Sequence, residues 1–251
     1  VAWRRDRDRG IVDDGDRAAR ARPPLAEPPA VKRFWKSVSV DSDNVVRLDE
    51  RPVRTPGRSP LALPTGALAQ AIASEWDAVE ETIDPRAMPL TGLANAAIDR
   101  VAPDPAAFAA GLAAYAKSDL LYYRADSPAE LIAREAAAWN PLLDWARDRY
   151  DVHFELVSGV MHRPQPAATI ARLSEAVASR PPFRLVALQP LVTISGTLVG
   201  TLALAEGAID VEALWNAALV DEMWQVDQWG EDVLAAEARD ARHRDLSLIH
   251  I

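Results

Sequence analysis

The chain has 251 residues, enough for one large domain or two small ones, and 49% of them are hydrophobic. Its 37 acidic residues outnumber its 28 basic residues, and a net charge of −9 argues against a general nucleic-acid or anionic-membrane surface, which needs clustered lysine and arginine. The absence of cysteine excludes disulfides, thiolate nucleophiles and cysteine-ligated metal sites.

Residues 1–30 are predicted to be a disordered tail. Arginine and aspartate are mixed in residues 3–9, and residues 22–30 are rich in proline, with no apolar period in either stretch. No apolar core of a secretory signal is visible, and the aspartates do not suit an acid-poor mitochondrial transit peptide.

Residues 31–104 are predicted to form a small α+β domain. Strand-forming residues at 34–40 and 45–48 flank one turn, and a second turn at Asp49-Glu50 leads into an extended segment that contains prolines. The remaining predicted elements are a short strand at 61–63, a helix of about four turns capped by Thr65, and a short helix over 91–101.

Residues 105–242 are predicted to form a mostly helical domain after a proline-rich boundary at residues 103–105. Residues 243–251 are expected to be a tail. The predicted helices of this domain cover residues 106–118, 128–150 and 167–178, two segments within 185–205, and one long helix from Asp210 to about Asp240.

The uncharged segment from Leu185 to Ala205 is long enough to cross a bilayer. Its polar residues and Pro190 instead favour two buried helices that break near Pro190–Ser195. The Gly196-x-x-x-Gly200 pair then permits close helix approach. We therefore predict no stable membrane insertion, and an inner-membrane scaffold anchored by this segment is the alternative.

The motifs of common catalytic sites are missing from the sequence. Neither glycine-rich phosphate-binding pattern occurs, the four histidines lack metal-ligand spacing, and Ser195 lies outside a G-x-S-x-G motif. We predict that the protein is not an enzyme and needs no cofactor or metal.

The predicted final helix carries an apolar stripe with one carboxylate in it. Steps of four and three residues place these positions on one helix face: Trp215, Leu219, Glu222, Val226, Trp229 and Val233. An ionised carboxylate among apolar neighbours needs a partner. Glu222 is therefore expected either to form an ion pair within the fold, with an arginine for example, or to meet an external partner. The alternative is an enzyme, with Glu222 as acid or base, or a small-molecule-binding protein that uses Glu222 in a helical pocket.

The opposite side of the same predicted helix combines a tryptophan with amides and acids. Tryptophan offers a large contact area and amides pair with exposed backbone, which favours a protein-binding patch, although Trp224 could equally be a core residue. The candidate partner-binding residues are Glu222, Trp224, Gln225, Gln228, Trp229 and Glu231.

Several motifs occur in a characteristic order along residues 33–240. They are Arg33-Phe34-Trp35, the stretch from Leu48 to Pro56, the stretches 61–64 and 88–99, Asp119-Leu120-Leu121-Tyr122-Tyr123-Arg124-Ala125, the stretch from Trp139 to Trp145, and Asp221-Glu222-Met223-Trp224-Gln225 with Trp229-Gly230-Glu231. In this order they resemble the assembly chaperones of the F1 sector of ATP synthase that receive the α subunit (F1 complex assembly factor 2 type). The chain departs from that pattern at Glu50, where the family usually has glycine, and at Asn140, where it usually has aspartate.

The resemblance implies a small sheet-containing domain followed by a helical domain. It also implies a non-enzymatic chaperone that holds unassembled F1 α subunit until the β subunit replaces it. Glu222 and Glu231 match acidic positions of the family's C-terminal motif. We expect a protein that is monomeric when free, located in a bacterial cytoplasm, with the mitochondrial matrix as the alternative.

Overall fold

The computed structural model describes residues 31–159 and 161–249, with the side chains of residues 248 and 249 left out. Its N-terminal region is built on an antiparallel sheet of three short strands: β1 (Val38–Val40), β2 (Val46–Leu48) and β3 (Arg51–Pro52). Asp49 and Glu50 join β2 to β3 with positive φ angles of 47° and 69°, as a type I′ hairpin turn requires. The predicted tail, residues 1–30, lies outside the described residues.

One helix covers this sheet. Helix α1 (Gly66–Asp77) packs on β1 and β2, and Thr65 caps it as predicted, since its Oγ1 accepts the Leu68 N–H at 3.3 Å. Residues 61–63 do not form a strand. They form an isolated bridge between Val45 and Ala62, and the backbone groups of Leu61 and Leu63 bond to the backbone of Asn44, Val46 and Val53.

The rest of the chain is mostly helical, so the predicted α+β class is confirmed. A 3₁₀ turn (Pro85–Ala87) precedes α2 (Pro89–Ala96), and a π-helical turn (Ala97–Val101) completes the region predicted as one helix over 91–101. The following elements are α3 (Pro105–Ala113), 3₁₀ turns at Ala114–Lys117 and Leu120–Tyr122, β4 (Tyr123–Arg124), α4 (Ala129–Tyr150), β5 (Val157–Ser158), α5 (Ala167–Ala178), α6 (Pro182–Ser195), α7 (Leu198–Ala205), α8 (Val211–Ala218), α9 (Val220–Trp229) and α10 (Val233–Ile249). Strands β4 and β5 pair in parallel.

Two large apolar cores lie side by side. The N-terminal core is formed by residues such as Trp35, Val46, Leu61 and Ile72, and the helical core by residues such as Leu121, Trp139, Leu143 and Leu202. Phe183 at the start of α6 packs against both. The helical core also includes Ala97 and Val101, which precede the predicted domain boundary at residue 104; that boundary stays a prediction.

The uncharged segment forms α6 and α7, two buried helices, as predicted. The break lies at the C-terminal edge of the predicted stretch, because α6 continues through Pro190 to Ser195 and is ended by Gly196, whose φ is 72°. A Cβ atom at Gly200 would lie 2.8 Å from Leu214 Cδ1, so the lack of a side chain at Gly200 allows α7 to lie close to α8. No helix among the described residues is long and apolar enough to cross a membrane.

A buried carboxylate ties the 3₁₀ turn after α3 to the start of α7. Asp119 is fully buried, and its two oxygens accept the N–H of Leu121 at 3.0 Å and of Val199 at 2.9 Å. Burial raises the pKa of Asp119 to about 6, although these backbone bonds favour the charged form. The carboxylate thus supplies two buried N–H groups with acceptors.

The predicted single helix from Asp210 to Asp240 is wrong: three helices, α8, α9 and α10, occupy this region. Leu219 interrupts the first pair, and Gly230, with a φ of 86° and a ψ of 171°, ends α9 in a conformation that only glycine adopts easily. The predicted tail at 243–251 is also helical as far as Ile249, and Leu246 is fully buried beside Leu191 and Leu214.

Candidate partner-binding surface

The inner face of α9 is held against α4 by aromatic and ionic contacts. Trp224 is only 9% exposed, and the Arg134 guanidinium lies 4.8 Å from the centre of its ring. The same guanidinium forms an ion pair with Asp227 at 2.5 Å. Trp224 is therefore a core residue. Of its two interpretations from the sequence, partner-binding residue and core residue, the structure supports the second.

Two acids also meet where α9 lies on α4. Glu135 is almost fully buried, and its carboxylate accepts the Ala125 N–H at 2.9 Å. Burial raises the pKa of Glu135, and the nearby carboxylate of Asp221 raises it further. Glu135 is thus a buried acid on α4 that lies beside the Asp221 carboxylate of α9.

Glu222 has its partner within the fold. Its carboxylate lies 2.6 Å from Nη2 of Arg242 and 3.6 Å from Nη1 of Arg239, both on α10. Arg239 also pairs with Glu231, which raises the pKa of Arg239. The groups that converge on Glu222 are guanidiniums, so its geometry is that of an ion pair rather than of a general acid or base.

This ion pair exists because the chain turns back at Gly230. In a continuous helix, residues 222 and 242 would lie about 30 Å apart, at a rise of about 1.5 Å per residue. Asp232 starts the returning helix, since its Oδ1 accepts the Ala235 N–H at 2.9 Å. Trp215 on α8 stacks on His243 of α10, with 4.9 Å between the ring centres.

The turn exposes two apolar side chains of the predicted stripe. Trp229 is 79% exposed and Val233 70%, although both lie on the predicted apolar stripe. Leu234, which the sequence analysis did not select, is 74% exposed. We call these three residues the corner patch. The signal that could have revealed it is Gly230 followed by a helix-capping aspartate, which indicates the end of one helix and the start of another.

The polar candidates lie near this corner. Gln225, Gln228 and Glu231 are exposed, whereas Trp224 beneath them is buried and Glu222 is partly covered by its arginines. Over residues 31–159 and 161–247, other large exposed apolar residues lie at most in pairs over a stretch of this length, such as Val31 with Phe34, but the corner patch places three of them within six residues. In the part of the chain that the structure describes, no group of His, Asp and Glu side chains could hold a metal ion.

Comparison with known proteins relates the whole described region to one family. Residues 32–147 match the family model described as ATP12 chaperone protein. The crystal structure of Atp12 from Paracoccus denitrificans is 45% identical with a TM-score of 0.80, and the match covers 87% of this chain and 97% of that one. An aspartate-to-lysine mutant of the same protein gives 44% identity, a TM-score of 0.82 and coverage of 87% and 95%. The Atu1473 protein from Agrobacterium tumefaciens is 39% identical, with a TM-score of 0.81 and coverage of 88% and 85%.

Proposed function

The chain belongs to the ATP12 chaperone family, and we propose that it binds the unassembled α subunit of F1 ATP synthase and prevents its aggregation until the β subunit displaces it. The observation that carries this proposal is the corner patch, which lies where α9 ends and α10 begins. A free α subunit exposes apolar surface that later contacts its neighbours in the ring. Contiguous exposed apolar side chains are suited to covering such a surface.

We assign different roles to the six candidate residues. Trp229 supplies apolar contact area, together with Val233 and Leu234, while Gln225 and Gln228 form hydrogen bonds at the rim. Glu231 and Glu222 hold α10 against α9 through Arg239. Trp224 positions the surface from below and does not itself touch the client.

Such a chaperone needs no energy source. A binder that covers the aggregation-prone surface lowers the concentration of free client by mass action. The β subunit displaces it if the β subunit binds the same surface of the α subunit more tightly. The release step is then competition between two proteins for one surface.

The proposal is tested by the aggregation of purified F1 α subunit, followed by light scattering with and without a stoichiometric amount of this protein. We expect suppression of scattering and a complex that dissociates when the β subunit is added. Trp229→Ala combined with Leu234→Ser should lose protection. Met161→Ala, which removes an equally exposed apolar side chain from a loop, is the matched control and should protect normally. A wild-type protein that forms no complex and leaves scattering unchanged would refute the proposal.

A further inference from the structure

Two cavities meet at the junction of the N-terminal and helical cores. One, of about 310 Å³, is apolar and lies between α1, α2 and α6, with Leu68, Leu93 and Phe183 in its walls. The other, of about 390 Å³, is polar and lies between the ends of α4, α5 and α7. Pro181 and Arg184 line both, so the apolar and the polar cavity adjoin at these two residues. We call the two adjoining cavities the junction groove, with an apolar end and a polar end.

The polar end carries an excess of positive charge. Glu206 accepts hydrogen bonds from Arg149 Nε at 2.6 Å and from the Tyr150 hydroxyl at 2.8 Å, and it also pairs with Arg180. Burial alone would raise the pKa of Glu206, but these three donors together lower it, so the carboxylate is ionised. Three arginines, including Arg184, therefore face one negative charge.

Arg184 lies where the apolar end and the polar end meet, and it is the arginine of this cluster that does not pair with Glu206. Arg149 and Arg180 are held by Glu206, whereas Arg184 is exposed and forms no ion pair with any residue that the structure describes. A guanidinium is suited to binding a carboxylate through two parallel hydrogen bonds. The excess positive charge stands out in a protein whose net charge is −9.

We propose that the junction groove is a second client-binding site, which holds a polypeptide segment with apolar side chains in the apolar end and a carboxylate on Arg184. The identity of the occupant as client polypeptide rests on the proposed function. Each cavity lies in the lower part of the range of roughly 300–1,000 Å³ for ligand pockets, and such pockets are common where two structural units meet. The charge at the polar end selects acidic segments and the apolar end supplies contact area.

The test uses a fluorescein-labelled hexapeptide, blocked at both ends, with four apolar residues followed by two glutamates. Binding to the full chain is measured by fluorescence anisotropy, beside a matched peptide with glutamines in place of the glutamates. We expect the glutamate peptide to bind about fivefold more tightly at low salt, an advantage that high salt should reduce. Arg184→Ala should remove the advantage, while Arg163→Ala, at an exposed loop position, should retain it.

A second variant tests the apolar end. Ala187 is a half-buried wall residue of the apolar cavity, and Ala187→Phe should fill the cavity and weaken both peptides while leaving the thermal unfolding midpoint close to that of the wild type. Equal binding of the two peptides, or an unchanged advantage in Arg184→Ala, would overturn the proposal. So would binding only to vesicles of anionic phospholipid. The two proposals fail separately, since peptide binding is measured without F1 α subunit and the corner-patch variants leave the groove intact.

Discussion

Two regions of the helical part break the usual sorting of polar and apolar side chains, in opposite directions. Asp119 is a fully buried carboxylate, whereas the corner patch is a group of large apolar side chains in solvent. The two oxygens of Asp119 accept hydrogen bonds from inside the fold, on Leu121 and Val199. The corner patch is largely uncovered by the fold, so the first exception stabilises the fold, and we propose that the second binds a partner.

Replacing Asp119 should have the largest effect on the fold. Asp119→Ala leaves the buried N–H groups of Leu121 and Val199 without an acceptor, and we expect it to lower the free energy of unfolding by about 2–4 kcal/mol. Urea denaturation measures this loss. Below its unfolding transition the variant should still suppress aggregation of the α subunit. A decrease in the free energy of unfolding of less than about 1 kcal/mol would show that Asp119 contributes little to the stability of the fold.

The pH dependence of stability isolates the charge of Asp119. Its pKa is about 6 in the folded protein against 3.8 for an ordinary aspartate, so the folded state binds more protons between these values. The contribution of this group is fully present below pH 3.8 and is lost as the pH rises through 6. The difference between these two pKa values corresponds to a change in the free energy of unfolding of roughly 3 kcal/mol.

Comparison with Asp119→Asn cancels the titration of other acids. The stability of the wild type relative to this variant should fall between pH 4.5 and pH 7.5, measured from urea denaturation at several pH values. An asparagine at this site does not titrate but keeps one oxygen acceptor. A difference between the two proteins that stays constant over this pH range would show that burial does not raise the pKa of Asp119 as described.

The corner patch should show the opposite behaviour. Trp229→Ala removes an exposed side chain, so the free energy of unfolding should change by less than about 0.5 kcal/mol. Binding of F1 α subunit should weaken about tenfold or more, since a central tryptophan commonly contributes well over 1 kcal/mol to an interface. Titration of labelled α subunit measures the binding. A destabilised variant would mean that Trp229 serves the fold after all.

The sequence predicted what depends on local signals. The cap at Thr65 and the bounds of α5 follow from side chains that act within one or two turns of themselves. The two helices of the uncharged segment follow from its composition. Asp119 was part of a family motif, but its role could not be predicted, because it caps residues about 80 positions further along the chain.

The candidate surface was only partly predictable for a related reason. The apolar spacing from Trp215 to Val233 fits one straight helix, and this pattern concealed the ends at Leu219 and Gly230. In one straight helix the residues of the stripe would share a single face. Because the chain forms three helices instead, these residues point in different directions, and Trp229 is exposed while Trp224 is buried. Glu222 was recognised as needing a partner, but its arginines could be identified only with α10 folded back.

Glu222 is intermediate between buried Asp119 and the exposed corner patch, because its side chain is partly buried and forms an ion pair. Glu222→Gln should lower the free energy of unfolding by only about 0.5–1 kcal/mol, since water competes for a partly exposed ion pair. Arg242→Gln should have a similar effect, and the double variant should cost less than the sum of the two. If Glu222→Gln instead weakens binding of the α subunit with unchanged stability, Glu222 acts with the corner patch.

Replacing Glu50 should have the smallest effect on the free energy of unfolding. Glu50 is unusual in its backbone conformation rather than in its burial. Its φ of 69° is costly for a residue with a side chain, so Glu50→Gly should raise the free energy of unfolding by about 0.5–1 kcal/mol. Arg47 bonds to the carbonyl oxygen of Glu50, which glycine retains. Thermal unfolding should show a midpoint a few degrees higher, roughly 1–3 °C for a protein of this size.

The neighbouring turn residue provides the control for this change. Asp49 also has a positive φ, but its carboxylate accepts the N–H groups of Lys36 and Ser37, so Asp49→Gly should destabilise the protein. Opposite signs at adjacent positions would show that side-chain bonds, rather than the turn alone, decide the outcome. Protection of the α subunit should be unchanged in Glu50→Gly, because the strain at Glu50 belongs to the fold. A more stable but less protective variant would instead place Glu50, like the corner patch, among the residues that serve a partner.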